Sequence, residues 1–246
     1  MATHEGSRPR RPSDGDVAFA RSLVIYEDGH LIAFNKPSGL PVQGGAGVAQ
    51  SLEDLLAVFA KSNGKTPRLV HRLDRETSGV IIAARTKPAA AFFSAAFAGR
   101  DAGKTYLAIT CGAPAPPEGE IDAPLHKVSR KGLDIMEVAA NGQAARTRYR
   151  TLKAANGAAL VELQPETGRM HQLRAHLAHI GVPIAGDGKY GGLFQLGATS
   201  TPQLLLHALR LDLPHPEAGR IALEAPPPPE FLAAAQSLGL ETALSP

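Results

Sequence analysis

The feature that most restricts the fold is a change of hydrophobic period near the middle of the chain. Within residues 118–163 apolar side chains follow strand spacing, first in Ile135-Met136-Glu137-Val138, then with period two through Thr147-Arg148-Tyr149-Arg150-Thr151-Leu152, then in Leu160-Val161-Glu162-Leu163. The links between these runs are short. A parallel crossover needs a dozen or more residues, so such links join antiparallel neighbours.

Elsewhere helical and strand patterns are interleaved without regular alternation. Leu23-Val24-Ile25-Tyr26 and Leu31-Ile32-Ala33-Phe34 flank the turn-forming Glu27-Asp28-Gly29-His30, which predicts a hairpin. Ser51 is an N-cap for a helix in which Leu52, Leu55, Leu56 and Phe59 share one face. The unbroken apolar run Val80-Ile81-Ile82-Ala83-Ala84 predicts a buried strand, followed by a helix over residues 88–97 and a strand over 106–111. A helix over 170–180 stops at Gly181 with Pro183 beyond it. A late strand spans 204–213, and a rigid proline linker at 226–229 leads into a terminal helix over 229–238.

This mixture predicts an α+β domain over residues 21–246, with a mostly antiparallel or mixed central sheet and flanking helices. Residues 1–20, which carry Arg8, Arg10 and Arg11, read as a flexible basic tail, with order beginning near Leu23. No apolar stretch follows those arginines, so no secretory signal is expected, and no run reaches the roughly 20 apolar residues that span a bilayer. A single cysteine, Cys111, makes no internal disulfide and no thiolate cluster, which points to a reducing cytoplasm. Lys and Arg number 26 against 23 Asp and Glu, too small an excess to identify a polyanion binder by itself.

Two polar segments carry the candidate chemistry. His71-Arg72-Leu73-Asp74-Arg75-Glu76-Thr77-Ser78-Gly79 immediately precedes the buried strand, so its side chains fall at the mouth of the sheet, with Arg72 and Arg75 favouring the anionic form of Asp74. Thr167-Gly168-Arg169-Met170-His171-Gln172-Leu173-Arg174-Ala175-His176-Leu177 opens a helix whose apolar face is Leu173, Leu177 and Ile180, and it brings two arginines to a helix start, a place suited to phosphate or carboxylate. Taken singly, each segment is equally compatible with a solvated surface cluster. The histidines lack the paired spacing of a zincin helix, so no metal is expected. Gly44-Gly45-Ala46-Gly47 has no following Lys-Ser/Thr, and Thr77-Ser78-Gly79 lacks the first glycine of a nucleophile elbow.

Together, His-Arg-Leu-Asp-x-x-Thr-Ser-Gly, Gly-Arg-x-His-Gln-Leu-Arg-x-His and the intervening Lys104-Thr105-Tyr106 resemble, in order and spacing, the signature of RluA-type pseudouridine synthases. Asn35-Lys36-Pro37-Ser38-Gly39, Gly186-Asp187-Gly188-Lys189-Tyr190-Gly191 and Leu206-His207-Ala208 extend the resemblance over residues 23–213. The resemblance implies the pseudouridine synthase fold and isomerisation of uridine in structured RNA, without metal or cofactor. It implies Asp74 as the catalytic carboxylate, Tyr106 as the ring packed on the base, and Arg174 as the partner of that carboxylate. Arg72 is then the residue that fills the gap left by the extruded base, and Leu206 lines the uracil pocket, with Leu205 and Leu204 as alternatives. Lys36, Arg169 and Lys189 are candidates for phosphate contacts.

The resemblance leaves the RNA open. Large-subunit (23S) ribosomal RNA is the expected substrate, transfer RNA the alternative, and a catalytically idle RNA-binding or assembly factor the reading from another class. Only about 20 residues precede the first expected strand, so the small N-terminal RNA-binding domain of many relatives is not expected; the partner is RNA, with no membrane, and the chain is taken as a monomer.

Overall fold

The structure, a computed structural model, describes residues 12–45, 47–130 and 133–241. In chain order it begins with α1 (Asp14–Ser22), β1 (Val24–Glu27), β2 (Leu31–Lys36) and the short α2 (Leu52–Leu55), which tightens into a 3₁₀ turn at Leu56–Phe59. β3 (Arg68–Leu69), β4 (Ser78–Ala84), α3 (Lys87–Ala98) and β5 (Gly103–Cys111) follow. Then come β6 (Glu118–Asp122), β7 (Leu125–Arg130), β8 (Leu133–Val138), β9 (Arg146–Ala155) and β10 (Ala158–Pro165). After α4 (Gln172–His179), the short β11 (Gln195–Leu196) and β12 (Thr199–Ser200) lead to β13 (Leu206–His215), β14 (Gly219–Glu224) and α5 (Pro229–Ser237).

Ten strands form one sheet in the order β1-β2-β4-β13-β5-β10-β9-β6, with β3 beside β4 and β14 beside β13. Among the described residues every pairing is antiparallel except β4 with β13. The expected α+β class and mixed sheet are therefore what the chain adopts.

Strand alternation divides the core. On β10, Ala159, Val161 and Leu163 pack with Leu173 and Leu177 of α4, whereas Ala158 and Leu160 pack with Phe231 and Ala235 of α5. β5 and the start of β13 obey the same rule, sending Ala108 and Leu206 toward α4 but Leu107, Ile109 and Leu205 toward α5. Each large apolar side chain so buried contributes roughly 1.5–3 kcal/mol. β4 is buried along its whole length, which accounts for its unbroken apolar run.

The parallel contact between β4 and β13 sets the site. Ala208 lies opposite Gly79, whose φ is +114°, and a Cβ on Gly79 would sit 2.2 Å from the Ala208 carbonyl oxygen. Nothing larger than glycine allows that approach. Beside it Ser78 Oγ and His207 Nδ1 are 2.9 Å apart, and His207 Nε2 is 2.9 Å from the Ala225 carbonyl. A histidine can donate to that carbonyl only from Nε2, so Nδ1 accepts from the serine. The segment before β4 is thereby fixed next to Leu206.

The structure corrects the expectation that order begins near Leu23. Ser13 and Asp16 form a capping box, in which the Ser13 side chain accepts from the Asp16 N–H at 3.2 Å and Asp16 accepts from the Ser13 N–H at 2.8 Å. α1 then buries Ala20, and Arg21 lies over the Phe59 ring at 4.6 Å. Arg8, Arg10 and Arg11 of the expected tail, and Ala46 of the glycine-rich segment, lie outside the described residues. The predicted helix from Leu52 keeps its apolar face, but after one turn the Leu56 N–H is shared among the carbonyls of Leu52, Glu53 and Asp54, and the helix tightens.

Candidate active site

The segment 71–77 enters β4 with two side chains anchored and one left toward the open side. Leu73 and Thr77 are buried, while the Asp74 side chain between them keeps 25% of its exposure. The Thr77 N–H donates to the Asp74 carbonyl at 3.1 Å and closes the turn. His71 braces it: its Nε2 accepts from the Ile82 N–H at 3.0 Å and its ring stacks on Phe97 at 4.3 Å. Burial, and then the positive charge of Lys104, push the His71 pKa down to about 3, so the ring is neutral.

A second brace comes from residues 36–40. Lys36 is fully buried, and its Nζ donates to the carbonyls of Pro37, Leu40 and Arg75 at 3.0, 2.9 and 3.0 Å. Ser38 Oγ donates to the Glu76 carbonyl at 2.7 Å, and the Gly39 N–H to the Arg75 carbonyl at 2.9 Å. Burial lowers the Lys36 pKa to about 8, against the pull of Asp74 and Glu76. Lys36 is therefore a strut beneath the Asp74 turn. The expectation of a phosphate contact from Lys36 is corrected, because an ammonium with no exposed surface and three carbonyl acceptors cannot reach RNA.

Arg174 projects from the first turn of α4 and is almost fully buried. Its Nε and Nη2 each donate to Asp187 at 2.7 Å, the two-pronged geometry that a guanidinium and a carboxylate share. Asp187 is itself placed by a tight loop: Gly186 has φ +75°, and a Cβ there would lie 1.9 Å from the Gln203 carbonyl oxygen. Tyr190 of the same loop lies under the Arg174 guanidinium at 5.3 Å. The remaining Nη1 has no hydrogen-bond partner among the described residues and faces Asp74 and Glu76, each at 3.7 Å. Arg174 thus pairs with Asp74, as the resemblance implied, but only as an ion pair at 3.7 Å, while its close hydrogen-bonded partner is Asp187. The sequence offered no means of pairing Arg174 with an acid 13 positions away.

His171 precedes α4 in a left-handed conformation, φ 49°. Tyr190 Oη accepts from the Met136 N–H at 2.7 Å and shares a hydrogen bond of 3.0 Å with His171 Nδ1. The other ring nitrogen, His171 Nε2, lies 3.9 Å from Asp74 Oδ2. Burial lowers the His171 pKa, with Asp74 opposing and Arg174 reinforcing the effect.

His71, Asp74, His171 and Arg174 line one cavity of about 460 Å³, within the ~300–1,000 Å³ range of small-ligand pockets. Asp74, Tyr106, Arg174, Arg72, Arg169 and Leu206 all face it. Burial, and secondarily the charge of Asp74, raise the Tyr106 pKa, so its hydroxyl stays protonated. Strand alternation makes Leu206, not Leu205, the lining residue, while Leu204 opens onto a separate cavity of about 350 Å³. Exposed Lys189 also lies on that second cavity, behind Arg174, and is not brought to Asp74. Arg72 is exposed at the mouth, and Arg169 donates from Nε to the Ala144 carbonyl at 3.1 Å. Among the described residues no three His, Cys, Asp or Glu side chains converge as a metal site, and no helix is long and apolar enough to cross a membrane.

Comparison with known proteins agrees with this geometry. The sequence profile described as RNA pseudouridylate synthase matches residues 30–179. Pseudouridylate synthase RPUSD4, mitochondrial, of Xenopus tropicalis is 38% identical over 249 residues, which cover 91% of this chain and 77% of that protein. Ribosomal large subunit pseudouridine synthase C of Rickettsia bellii (strain RML369-C) is 40% identical over 185 residues, covering 73% of this chain and 61% of that protein. Among solved structures, human RNA pseudouridylate synthase domain containing 4 aligns with a TM-score of 0.78 at 31% identity, covering 92% of this chain and 97% of that one. With its fold, its Asp74 cavity and these relatives in agreement, this chain belongs to the RNA pseudouridylate synthase family.

Proposed function

We propose that this chain isomerises specific uridines of structured large-subunit ribosomal RNA to pseudouridine, with Asp74 as the catalytic carboxylate. The observation that carries the reading is the free edge of Arg174: a buried guanidinium locked on one side by Asp187 presents an unpartnered Nη1 to Asp74 at the floor of the cavity. A carboxylate oriented in this way meets the needs of the reaction. The bond from N1 to C1′ breaks, the uracil turns, and C5 joins C1′; the C5 proton leaves and N1 gains one, so the atoms balance. Asp74 serves by attacking C1′ or by removing the C2′ proton, and deuterium at C2′ separates these routes, since only the second gives a primary isotope effect.

The other side chains divide the remaining work. Protonated Tyr106 packs against the base and offers a neutral hydroxyl near C5, and Leu206 closes the apolar wall. Arg72 is an exposed cation at the mouth, placed to replace the stacking that an extruded uridine loses. Arg169, which lines the same cavity, is the proposed phosphate contact. The proposed oligomeric state is a monomer, and the proposed compartment is the cytoplasm. Large-subunit RNA is favoured because relatives such as that of Rickettsia bellii bear that substrate in their names.

The test is Asp74→Asn, which keeps the side chain's size and removes its charge. Pseudouridine formation should fall below detection while RNA affinity persists, because phosphate contacts supply most of it. A folded, RNA-binding Asp74→Asn protein that turns over at near wild-type rate refutes the assignment. Mapping pseudouridine in ribosomal and transfer RNA from cells lacking the chain decides the substrate; loss confined to transfer RNA overturns the ribosomal reading. Wild-type protein that binds RNA and modifies none is an idle binding factor.

A further inference from the structure

We propose that Arg100 and Lys104 form a binding site for a backbone phosphate of RNA flanking the target uridine, at the point where the Asp74 cavity continues into a neighbouring groove. The inference rests on the RNA reading above and extends it to a site outside the catalytic group.

The groove encloses about 430 Å³ and shares Arg100, Lys104, Pro165 and Glu166 with the Asp74 cavity, so the two form one path along the surface. Its other cations are already engaged. Arg148 is held by Glu166 at 2.6 Å, and Arg210 by Glu224 at 2.7 Å. The acids in the groove are engaged too, since Asp212 pairs with Arg220 and Glu166 with Arg148. Arg100 and Lys104 remain, and no side-chain hydrogen bond or ion pair engages either of them among the described residues. Lys104 is only partly exposed, and burial and then the adjacent charge of Arg100 lower its pKa. Two neighbouring cations, lining the same groove and not paired to its carboxylates, suit an anion supplied from outside.

The backbone at Arg100 is an independent observation. α3 ends in a Schellman motif: the Asp101 N–H donates to the Ala96 carbonyl at 2.9 Å and the Arg100 N–H to the Phe97 carbonyl at 3.4 Å. The residue after the cap in this motif is left-handed and normally glycine. Here it is Arg100, with φ +64°, while the neighbouring Gly99 takes an ordinary right-handed conformation that any residue accepts. The chain therefore holds an arginine where the backbone favours glycine, and local strain of this kind is tolerated where the side chain has a task.

This gives a test that separates binding from folding. Arg100→Gly removes the strain together with the charge, so its thermal midpoint should equal or exceed that of wild type. Its RNA affinity should fall roughly three- to tenfold, and the slope of log affinity against log salt should drop by roughly 0.7–0.9 for one lost phosphate contact. Lys104→Met should weaken binding in the same way. Scanning a substrate RNA with single neutral methylphosphonates should find one linkage near the target uridine whose neutralisation weakens wild type but not the Arg100→Gly, Lys104→Met double variant. Wild-type affinity and salt slope in both single variants overturn the proposal, as does a scan in which the double variant loses as much as wild type at every linkage. RNA affinity is read apart from pseudouridine formation, so a wild type that binds RNA without modifying it defeats the functional reading and leaves these comparisons to decide this one.

Discussion

Replacing Asp187 by Asn tests the division of labour between two carboxylates around one arginine. Asp187 has no exposed side-chain surface and Arg174 only 3%, so the substitution leaves a guanidinium buried without its counterion. Breaking a buried pair by removing one partner costs roughly 3–5 kcal/mol. Two features bring the expectation to the lower end: an asparagine oxygen retains one acceptor, and Asp74 and Glu76 stand at 3.7 Å from Nη1, close enough to share the charge. About 3 kcal/mol corresponds, for a chain of this size, to a thermal midpoint lowered by roughly 6–12 °C. The same compensation damages catalysis, because an arginine released from Asp187 moves toward Asp74 and changes the carboxylate's position. Turnover should fall at least about tenfold, more than substrate affinity does. Thermal unfolding and single-turnover kinetics on the same preparation read both effects. A variant with wild-type midpoint and turnover refutes the argument, and a lowered midpoint with unchanged turnover limits the pair to a structural role.

Two further outcomes follow from individual side chains. Arg72→Ala should impair turnover on a paired or stacked target more than on a flexible single strand, because extrusion costs more stacking in the first case; equal losses on both would point to a direct chemical role instead. Lys36→Met should lower stability, since the carbonyls of Pro37, Leu40 and Arg75 lose their donor. In wild type the folded Lys36 releases its proton at about 8 and the unfolded lysine at its ordinary 10.5, so the unfolded state holds more protons between those values and stability should rise by roughly 3 kcal/mol across that window. Chemical denaturation at pH 8 and pH 10 should show the rise in wild type and a smaller one in Lys36→Met; identical changes refute the burial of an ionisable lysine.

The alternation of apolar residues made most of the sheet legible, because a strand covered on one or both faces must repeat its pattern every second residue. The unbroken run after Ser78 announced a strand covered on both faces, and β4 is that strand. The edge strand β6 was missed because only Ile121 is buried there, and its acids serve as partners for Arg146 and Arg148 across the pair. α1 escaped notice because its capping box ends in aspartate and only one of its residues is buried. Asp74, Tyr106 and Leu206, which meet in one cavity, were singled out by motifs whose order along the chain survives folding. Asp187 as a partner of Arg174 and the carbonyl partners of Lys36 were not, since they come from chain that returns from elsewhere. Lys36 in particular reads as a surface lysine beside a proline, and only the fold reveals that the carbonyls of residues 37, 40 and 75 converge on its ammonium.

The charges beneath the cavity explain why one acid among several is left for chemistry. Asp187 is committed to Arg174 through both oxygens and is shut away from the cavity. Glu76 meets only the free edge of Arg174 and does not line the cavity. Asp74 alone of the three combines contact with that free edge and an open path to a ligand. The neighbouring groups are held neutral: His71 by burial against Phe97, and Tyr106 by burial together with the Asp74 charge itself. A neutral imidazole whose Nε2 already accepts from backbone cannot take a further proton readily, and a protonated phenol cannot act as a strong base. In the proposed reaction the anionic step at the sugar therefore falls to Asp74, and Arg174, kept rigid by Asp187, would hold that carboxylate by its free edge.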